Sequence, residues 1–314
     1  MTAQQLYHLF SKSFDIVAMI ETKTYLEEAK KLNRKITSET YPTMVVLGLS
    51  YPYRPMKHTK THLAPSFYTF GKDYHLILKN RIKEVMDNLQ IAYHFGVDNH
   101  PHDERLAATL SGIGFMGKNQ LIINKNFGSY FFLGIVFLDM VLDKEIRLEV
   151  TDDCGSCRKC IDACPTQALE EGQYHMEKCI SHFNQSKREL TDTEIQKNHS
   201  LFGCDICQRV CPKNINKGLV VHPEFQLSGK EMVSIVELFQ DSDKVYKSKY
   251  QDMAYMWKGK TLLMRNALTL LMRQKNTEYN ELIRSSLERL TVPWYYKTAS
   301  HILEQLDQIK SSEK

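Results

Sequence analysis

The sequence predicts an α+β protein in three successive parts, and three observations predict it. Short apolar runs of strand length alternate with amphipathic helical stretches up to about residue 145. All eight cysteines fall between residues 154 and 211. From Gly229 to Lys314 apolar residues recur at helical spacing. The expected parts are therefore 1–145, an α/β domain, then 146–228, built around the cysteines, then 229–314, a helical region. A chain of 314 residues exceeds one ordinary domain and can bury a sizeable core.

In the first part, Asp15–Ile20 and Thr43–Leu49 are short runs rich in Val, Ile and Met, as buried strands are. Thr24 with Glu27 has the spacing of a capping box and predicts a helix running toward Leu32. Leu78, Ile82, Val85, Met86 and Leu89 lie on one face of a helix over Lys72–Leu89. Asp103 and Glu104 open another helix, with acids placed to suit its dipole. Gln120–Asn124 and Tyr130–Asp139 read as strands joined by a turn at Asn126–Ser129.

The last part carries three helical stripes. They are Leu263, Ala267, Leu270 and Leu271, then Ile283, Leu287 and Leu290, then Ala299, Ile302, Leu303 and Leu306. Pro293 suits the first turn of the third helix. An antiparallel helix pair of this kind resembles one HEAT-type repeat, too short for a solenoid and expected to pack on what precedes it.

The cysteines form two runs, Cys154-x2-Cys157-x2-Cys160-x3-Cys164-Pro165 and Cys204-x2-Cys207-x3-Cys211-Pro212, with Cys179 between them. A cubane iron–sulfur cluster takes four thiolates, and in such a run the fourth cysteine crosses to the other cluster. Eight ligands are the number two 4Fe–4S clusters need. Cys154, Cys157, Cys160 and Cys211 would hold one; Cys164, Cys179, Cys204 and Cys207 would hold the other, with Cys179 filling the missing first position of the second run. A zinc ribbon leaves the third cysteine and both prolines unexplained. A radical S-adenosylmethionine site would want C-x3-C-x2-C. Disulfides need an oxidising compartment, and the first twenty residues contain no uninterrupted apolar stretch of a secretion signal. The chain handles electrons in a ferredoxin-like module, and the 150 or so residues before the module supply a domain to receive them.

Charge is nearly balanced, 41 basic against 37 acidic residues, so no polyelectrolyte partner is implied overall. No apolar run is long enough to span a bilayer, so no membrane partner is expected and a cytoplasmic protein is the default. A monomer is the working expectation.

Gly112-Ile113-Gly114-Phe115-Met116-Gly117-Lys118-Asn119 fits G-x-G-x-x-G and also G-x4-G-K. Nucleotide loops follow a strand and open a helix. Here a helical pattern precedes and a strand pattern follows, so these glycines either admit a flat cofactor or make a tight turn.

The stretches Val97-Asp98-Asn99-His100-Pro101-His102-Asp103-Glu104-Arg105, Ser111–Asn119, Gly128-Ser129 and Phe132-Leu133-Gly134 occur in that order. Together with Tyr68–His75, Cys179-Ile180-Ser181 and Phe202-Gly203-Cys204-Asp205-Ile206-Cys207, they resemble epoxyqueuosine reductases over about residues 15–275. That family's pattern is V-D-S/T-x-P-x-x-E-R, then A-G-L-G-W-x-G-K-N, then G-S-x-x-x-L-G. Phe115 stands here for its Trp, Ser111 for its Ala, and Asn99 and His100 for its small residues.

The resemblance implies a cobalamin enzyme with two 4Fe–4S clusters. It would reduce epoxyqueuosine in the tRNA anticodon to queuosine, served by an unidentified low-potential electron donor. It implies a flavin-reductase-like fold for the cobalamin domain, and a tail shorter than in members with several HEAT-like units. Asp98 matches the family's proton donor, and burial under a corrin would have to raise its pKa. Ile122, Leu133 and Ser181, with Asp98, match positions that line the cobalamin. Neither Asp73-Tyr74-His75 nor Asp98-Asn99-His100 completes the D-x-H-x-x-G of a histidine-ligated corrinoid, which agrees with a base-off cofactor. His75 reads as a helix-face histidine rather than a cobalt ligand.

Between Lys244 and Lys275 eight cations face one acid, Asp252, and Tyr246, Tyr250, Tyr255 and Trp257 are interleaved. Such a stripe suits phosphates and unpaired bases, with Lys258, Lys260 and Arg265 as the tRNA contacts. Two rivals share the cysteine pattern. One is a reductive dehalogenase-like corrinoid enzyme acting on a small molecule; the other is a two-cluster electron carrier.

Overall fold

Four antiparallel strands organise the N-terminal half. They are β1 (Ile16–Glu21), β2 (Thr43–Ser50), β3 (Tyr93–Gly96) and β4 (Phe131–Leu138), in the order β1-β2-β4-β3. The computed structural model describes residues 1–312. Strand β4, Phe-Phe-Leu-Gly-Ile-Val-Phe-Leu, is buried along nearly its whole length because it has a partner on either edge. Leu47 sits opposite Gly134, and Gly96 opposite Ile135. Strands buried on both faces read as continuous apolar runs, which is why β2 and β4 are legible and the half-polar Tyr93–Gly96 is not.

Helices α1 (Ala3–Phe10), α2 (Thr22–Lys31), α3 (Tyr74–Met86) and α4 (Glu104–Leu110) surround the sheet. Thr2 and Gln5 cap α1 reciprocally. Helix α2 begins at Thr22, two residues before the expected box at Thr24 and Glu27, and has no side-chain cap. Its start is set instead by the Thr22 N–H, which donates to the Pro42 carbonyl at 2.9 Å. Apolar side chains of β1, β2, β4, α2 and α4, including Ile20, Tyr25, Val46, Ala107 and Phe137, make one core. Burying a side chain of that size contributes about 2 kcal/mol of transfer free energy.

The glycine motif lies between α4 and a short hairpin pairing Phe115–Met116 with Ile122–Ile123. Its conformation answers the nucleotide question. Gly112 has φ +75, and a Cβ there would lie 1.8 Å from the Leu148 carbonyl oxygen. A Cβ on Gly114 would lie 2.4 Å from the oxygen of Ile123. The glycines let the protein's own backbone approach, and the helix precedes the motif rather than following it. The expected turn at Asn126–Ser129 exists as an Asn124–Gly128 bridge, but the hairpin strands do not pair with β4.

The compact units do not follow the sequential divisions at 145 and 228. One unit combines Met1–Tyr53, Tyr74–Cys160 and Cys207–Phe225; the other combines Arg54–Asp73, Ile161–Ile206 and Gln226–Lys314. Side-chain patterning sees runs along the chain, whereas these units form by strand pairing and core contacts between distant segments. In the second unit, for example, Val233–Ser234 pairs with His62–Leu63, a strand inside the stretch expected to be helical throughout.

Three helices, α5 (Lys260–Gln274), α6 (Asn280–Arg289) and α7 (Pro293–Ser312), dominate the second unit. Pro293 is the first residue of α7. Helix α5 buries eleven residues and so is central rather than amphipathic. Leu263, Leu271, Ile283, Tyr295 and Leu306 belong to one cluster with Phe183, Leu201 and Phe239. Among the described residues no helix is long and apolar enough to cross a membrane.

Candidate active site and cluster ligands

Strand β3 ends at Gly96, and the chain then turns sharply through Asp98 (φ +48) and Asn99 (φ +37) before α4. Left-handed backbone at a residue other than glycine costs on the order of 1–3 kcal/mol and persists where surroundings hold it. Asp and Asn tolerate it better than most residues. Asp103 caps α4 by accepting from the Arg105 and Leu106 amides, both at 3.1 Å, and its own N–H donates to the Tyr25 hydroxyl at 2.7 Å. The loop is thus anchored at its far end.

Helix α3 presents its first two residues to Asp98. The Tyr74 hydroxyl donates to Asp98 Oδ2 at 3.2 Å, and His75 Nε2 lies 3.1 Å from the same oxygen. The Asn99 amide donates to it as well, at 3.2 Å. The Tyr74 ring is stacked on Phe132 of β4 with centroids 4.0 Å apart, which fixes the hydroxyl. The His75 hydrogen bond outweighs the opposing burial and holds the Asp98 carboxyl below the usual carboxylate range. His75 is a buried partner of Asp98, with its side chain 13% exposed.

Asp98 lies in a cleft of about 180 Å³ with Tyr74, Glu104, Arg105, Gln120, Ile122, Ser129, Phe131, Phe132 and Leu133. The wall is apolar where the hairpin and β4 supply it, and polar where α3 and α4 do. Ile122 and Leu133 therefore stand in one cleft with Asp98. Ser181 belongs to the other unit, in the short helix Ile180–Phe183, where its oxygens accept from Gln185 Nε2.

The cysteines divide between the units. Cys154, Cys157, Cys160 and Cys211 lie in the first, Cys164, Cys179 and Cys204 in the second, and Cys207 begins the last segment of the first. Burial raises the Cys211 thiol, and the neighbouring Cys154 and Cys157 raise it further. Burial pushes the Cys204 thiol up to about 12, with Asp205, Cys179 and Cys164 adding to the effect. Cys204 and Cys211, each with cysteine neighbours that oppose its ionisation, suit a multivalent cationic centre that takes them as thiolates. Pro212 opens a single 3-10 turn with Cys211 as its cap.

Sequence reasoning missed how the glycine motif ends. The Lys118 amide donates to Cys154 Sγ at 3.4 Å, its Nζ donates to the Gly155 carbonyl at 3.0 Å, and Asn119 Nδ2 reaches the Cys207 carbonyl at 3.5 Å. The tight hairpin thus serves the cysteine loops. Its adjacency to Cys154 depends on chain crossing over 36 residues, which spacing cannot show.

Two of the expected tRNA contacts need correction. Arg265 is 0% exposed, and its guanidinium donates to the carbonyls of Phe183, Asn184, Ser186 and Arg188. Lys260 is 8% exposed and donates to the Asp241 carbonyl. Both cations are spent inside the unit on orphan backbone oxygens. Tyr246, Tyr250 and Tyr255 are core side chains too. Lys258 remains, partly exposed, 3.5 Å above an exposed Trp257 ring.

Comparison with known proteins bears on this arrangement. Residues 153–214 match the model of a 4Fe-4S double cluster binding domain. Residues 33–99 match that described as Epoxyqueuosine reductase QueG, DUF1730. A protein of Lactococcus garvieae called epoxyqueuosine reductase is 32% identical over 257 residues, covering 77% of this chain and 72% of its own. A crystal structure of epoxyqueuosine reductase with an epoxyqueuosine-modified tRNA-Tyr stem loop superposes with TM-score 0.79 at 25% identity, over 97% of this chain and 98% of that one. A Bacillus subtilis epoxyqueuosine reductase, with its catalytic aspartate loop swung out of the active site, superposes with TM-score 0.77 at 25% identity, over 96% and 98%. A double-cluster module joined to a sheet domain defines an iron–sulfur oxidoreductase. The chain belongs to the epoxyqueuosine reductase family.

Proposed function

We propose that Asp98, paired with His75, delivers the proton that lets the epoxide oxygen leave as water. The reaction is the family's: the chain reduces epoxyqueuosine to queuosine in the anticodon of tRNA, with cobalamin and two 4Fe–4S clusters as cofactors. Epoxide, two electrons and two protons give the cyclopentene and water. When bound, cobalamin supplies the strongly reducing nucleophilic centre and the clusters supply electrons singly.

The protein's part is orientation and protons. The apolar wall of Ile122, Phe131, Phe132 and Leu133 suits the edge of a large flat ring, and the 180 Å³ cleft suits only a part of it. Tyr74 and His75 hold Asp98 Oδ2. A proton resident on that pair passes from Asp98 to the developing alkoxide, and His75 restores it. That the Bacillus subtilis relative has a catalytic aspartate on a loop accords with Asp98 standing on one. We further assign Cys154, Cys157, Cys160 and Cys211 to one cluster, and Cys164, Cys179 and Cys204 with Cys207 to the other.

The tRNA partner has Lys258 over Trp257 as its best-placed contact in the helical unit. The substrate suggests a cytoplasmic location, and a low-potential one-electron donor must serve the clusters. The single observation that carries the reading is the convergence of three donors on one oxygen of Asp98 in a cleft with an apolar wall. Asp98→Asn should abolish conversion of epoxyqueuosine-containing tRNA, read by nucleoside analysis, while the cobalamin spectrum and iron content stay unchanged. Turnover retained in that variant removes Asp98 from the mechanism.

A further inference from the structure

The Asp98 loop contains a second polar contact set, separate from His75. The Asp98 N–H donates to Glu104 Oε1 at 3.1 Å. His100 Nε2 stands 3.1 Å from the same oxygen, within polar contact though not aligned as a hydrogen bond. At the ring's other nitrogen, Nδ1 accepts the His102 N–H at 3.2 Å. With Nδ1 an acceptor, the ring proton belongs on Nε2, toward Glu104. Both side chains are largely buried, 12% and 18% exposed. The ring fills the space beside Gly96, where an added Cβ would come within 2.5 Å of its carbons.

We propose that His100 and Glu104 form a latch that holds the Asp98 loop closed. The latch ties two backbone N–H groups, at Asp98 and His102, through one histidine–carboxylate contact, and so spans the left-handed turn at Asp98 and Asn99. Left-handed aspartate and asparagine do not stay in place by their own preference. Without the latch the loop relaxes, and the carboxylate leaves Tyr74 and His75. Glu104 and His100 are positioning residues; the proton stays with Asp98.

The inference rests on the assignment of Asp98, and its test separates the two. His100→Phe keeps a ring against Gly96 and removes both nitrogens. Gly96→Ala keeps the histidine and pushes its ring away, which guards against a variant that simply fails to fold. Hydrogen exchange of the cobalamin-loaded, cluster-containing full chain is followed over residues 97–103, with β4 as the internal control. In both variants exchange over 97–103 should rise by about tenfold while β4 is unchanged, the loss expected when a local hydrogen-bonded closure opens. Turnover should fall through kcat with KM for tRNA unchanged. Wild-type exchange over 97–103 in both variants overturns the latch, whatever the activity of Asp98→Asn. Raised loop exchange with an active Asp98→Asn instead keeps the latch and removes the catalytic role.

Discussion

His75 Nε2 lies 3.1 Å from Asp98 Oδ2, and that bond holds the carboxyl below its usual range. A carboxyl so held is ionised near neutrality, so under the proposed role of Asp98 the acid would be the pair. Removing the histidine leaves the proton to the carboxyl alone, without the imidazole that would share it. In His75→Phe the fall of kcat/KM with rising pH should therefore move to lower pH, and activity at pH 7 should drop by about 100-fold. A pH–rate profile with the alkaline limb unmoved would exclude His75 as proton source.

The neighbours that raise the Cys211 and Cys204 thiols differ, as the proposed division into two clusters requires. Cys211 responds to Cys154 and Cys157, and Cys204 to Cys164 and Cys179. Cys211→Ser and Cys204→Ser should each lose about four of about eight irons, from different clusters. Electron paramagnetic resonance of the reduced variants should show two distinct residual signals. Identical residual spectra would break the partition.

Arg265 and Lys258 should behave oppositely. Arg265→Met leaves four backbone carbonyls without their buried donor and should destabilise the protein by about 3 kcal/mol in denaturant melts. Lys258→Ala should leave stability within about 0.5 kcal/mol. It should weaken tRNA binding and lower the salt slope by about 1. An Arg265→Met protein of native stability would return that residue to the list of surface cations.

What the sequence could and could not show follows from the range of each signal. Contiguous patterns were legible: the buried runs of β2 and β4, the face of α3, Pro293 at the head of α7. So were two cysteine runs whose spacing is itself the ligand geometry. Contacts between distant segments were not. The basic stripe at 244–275 looked like one face because charge was counted along the chain. In the fold, Arg265 lies inside among carbonyls about 80 residues earlier in sequence, the helix face being wholly covered. The donors to Asp98 were hidden for the same reason, since Tyr74 and His75 arrive from 24 and 23 residues away.

One such distant contact bears on stability and on the cluster segment together. His222 Nε2 lies 2.8 Å from Asp15 Oδ2, and Ser50 donates its N–H and hydroxyl to that oxygen at 2.7 Å each. The contact ties the segment carrying Cys211 to the edge of the sheet, beside the Arg81–Glu224 pair. Burial raises the Asp15 carboxyl, yet the bonds from His222 and Ser50 outweigh it and leave the group below its usual range. A carboxyl depressed in the folded state stabilises above its unfolded pKa and loses that contribution as pH falls through the folded one. Asp15→Asn should therefore cost about 2 kcal/mol at pH 7, measured by urea melts. The gap between wild type and variant should narrow steadily as pH falls below about 4. A gap that stays constant down to the acid transition would show that packing at this site, and not the ionised carboxylate, holds the segment.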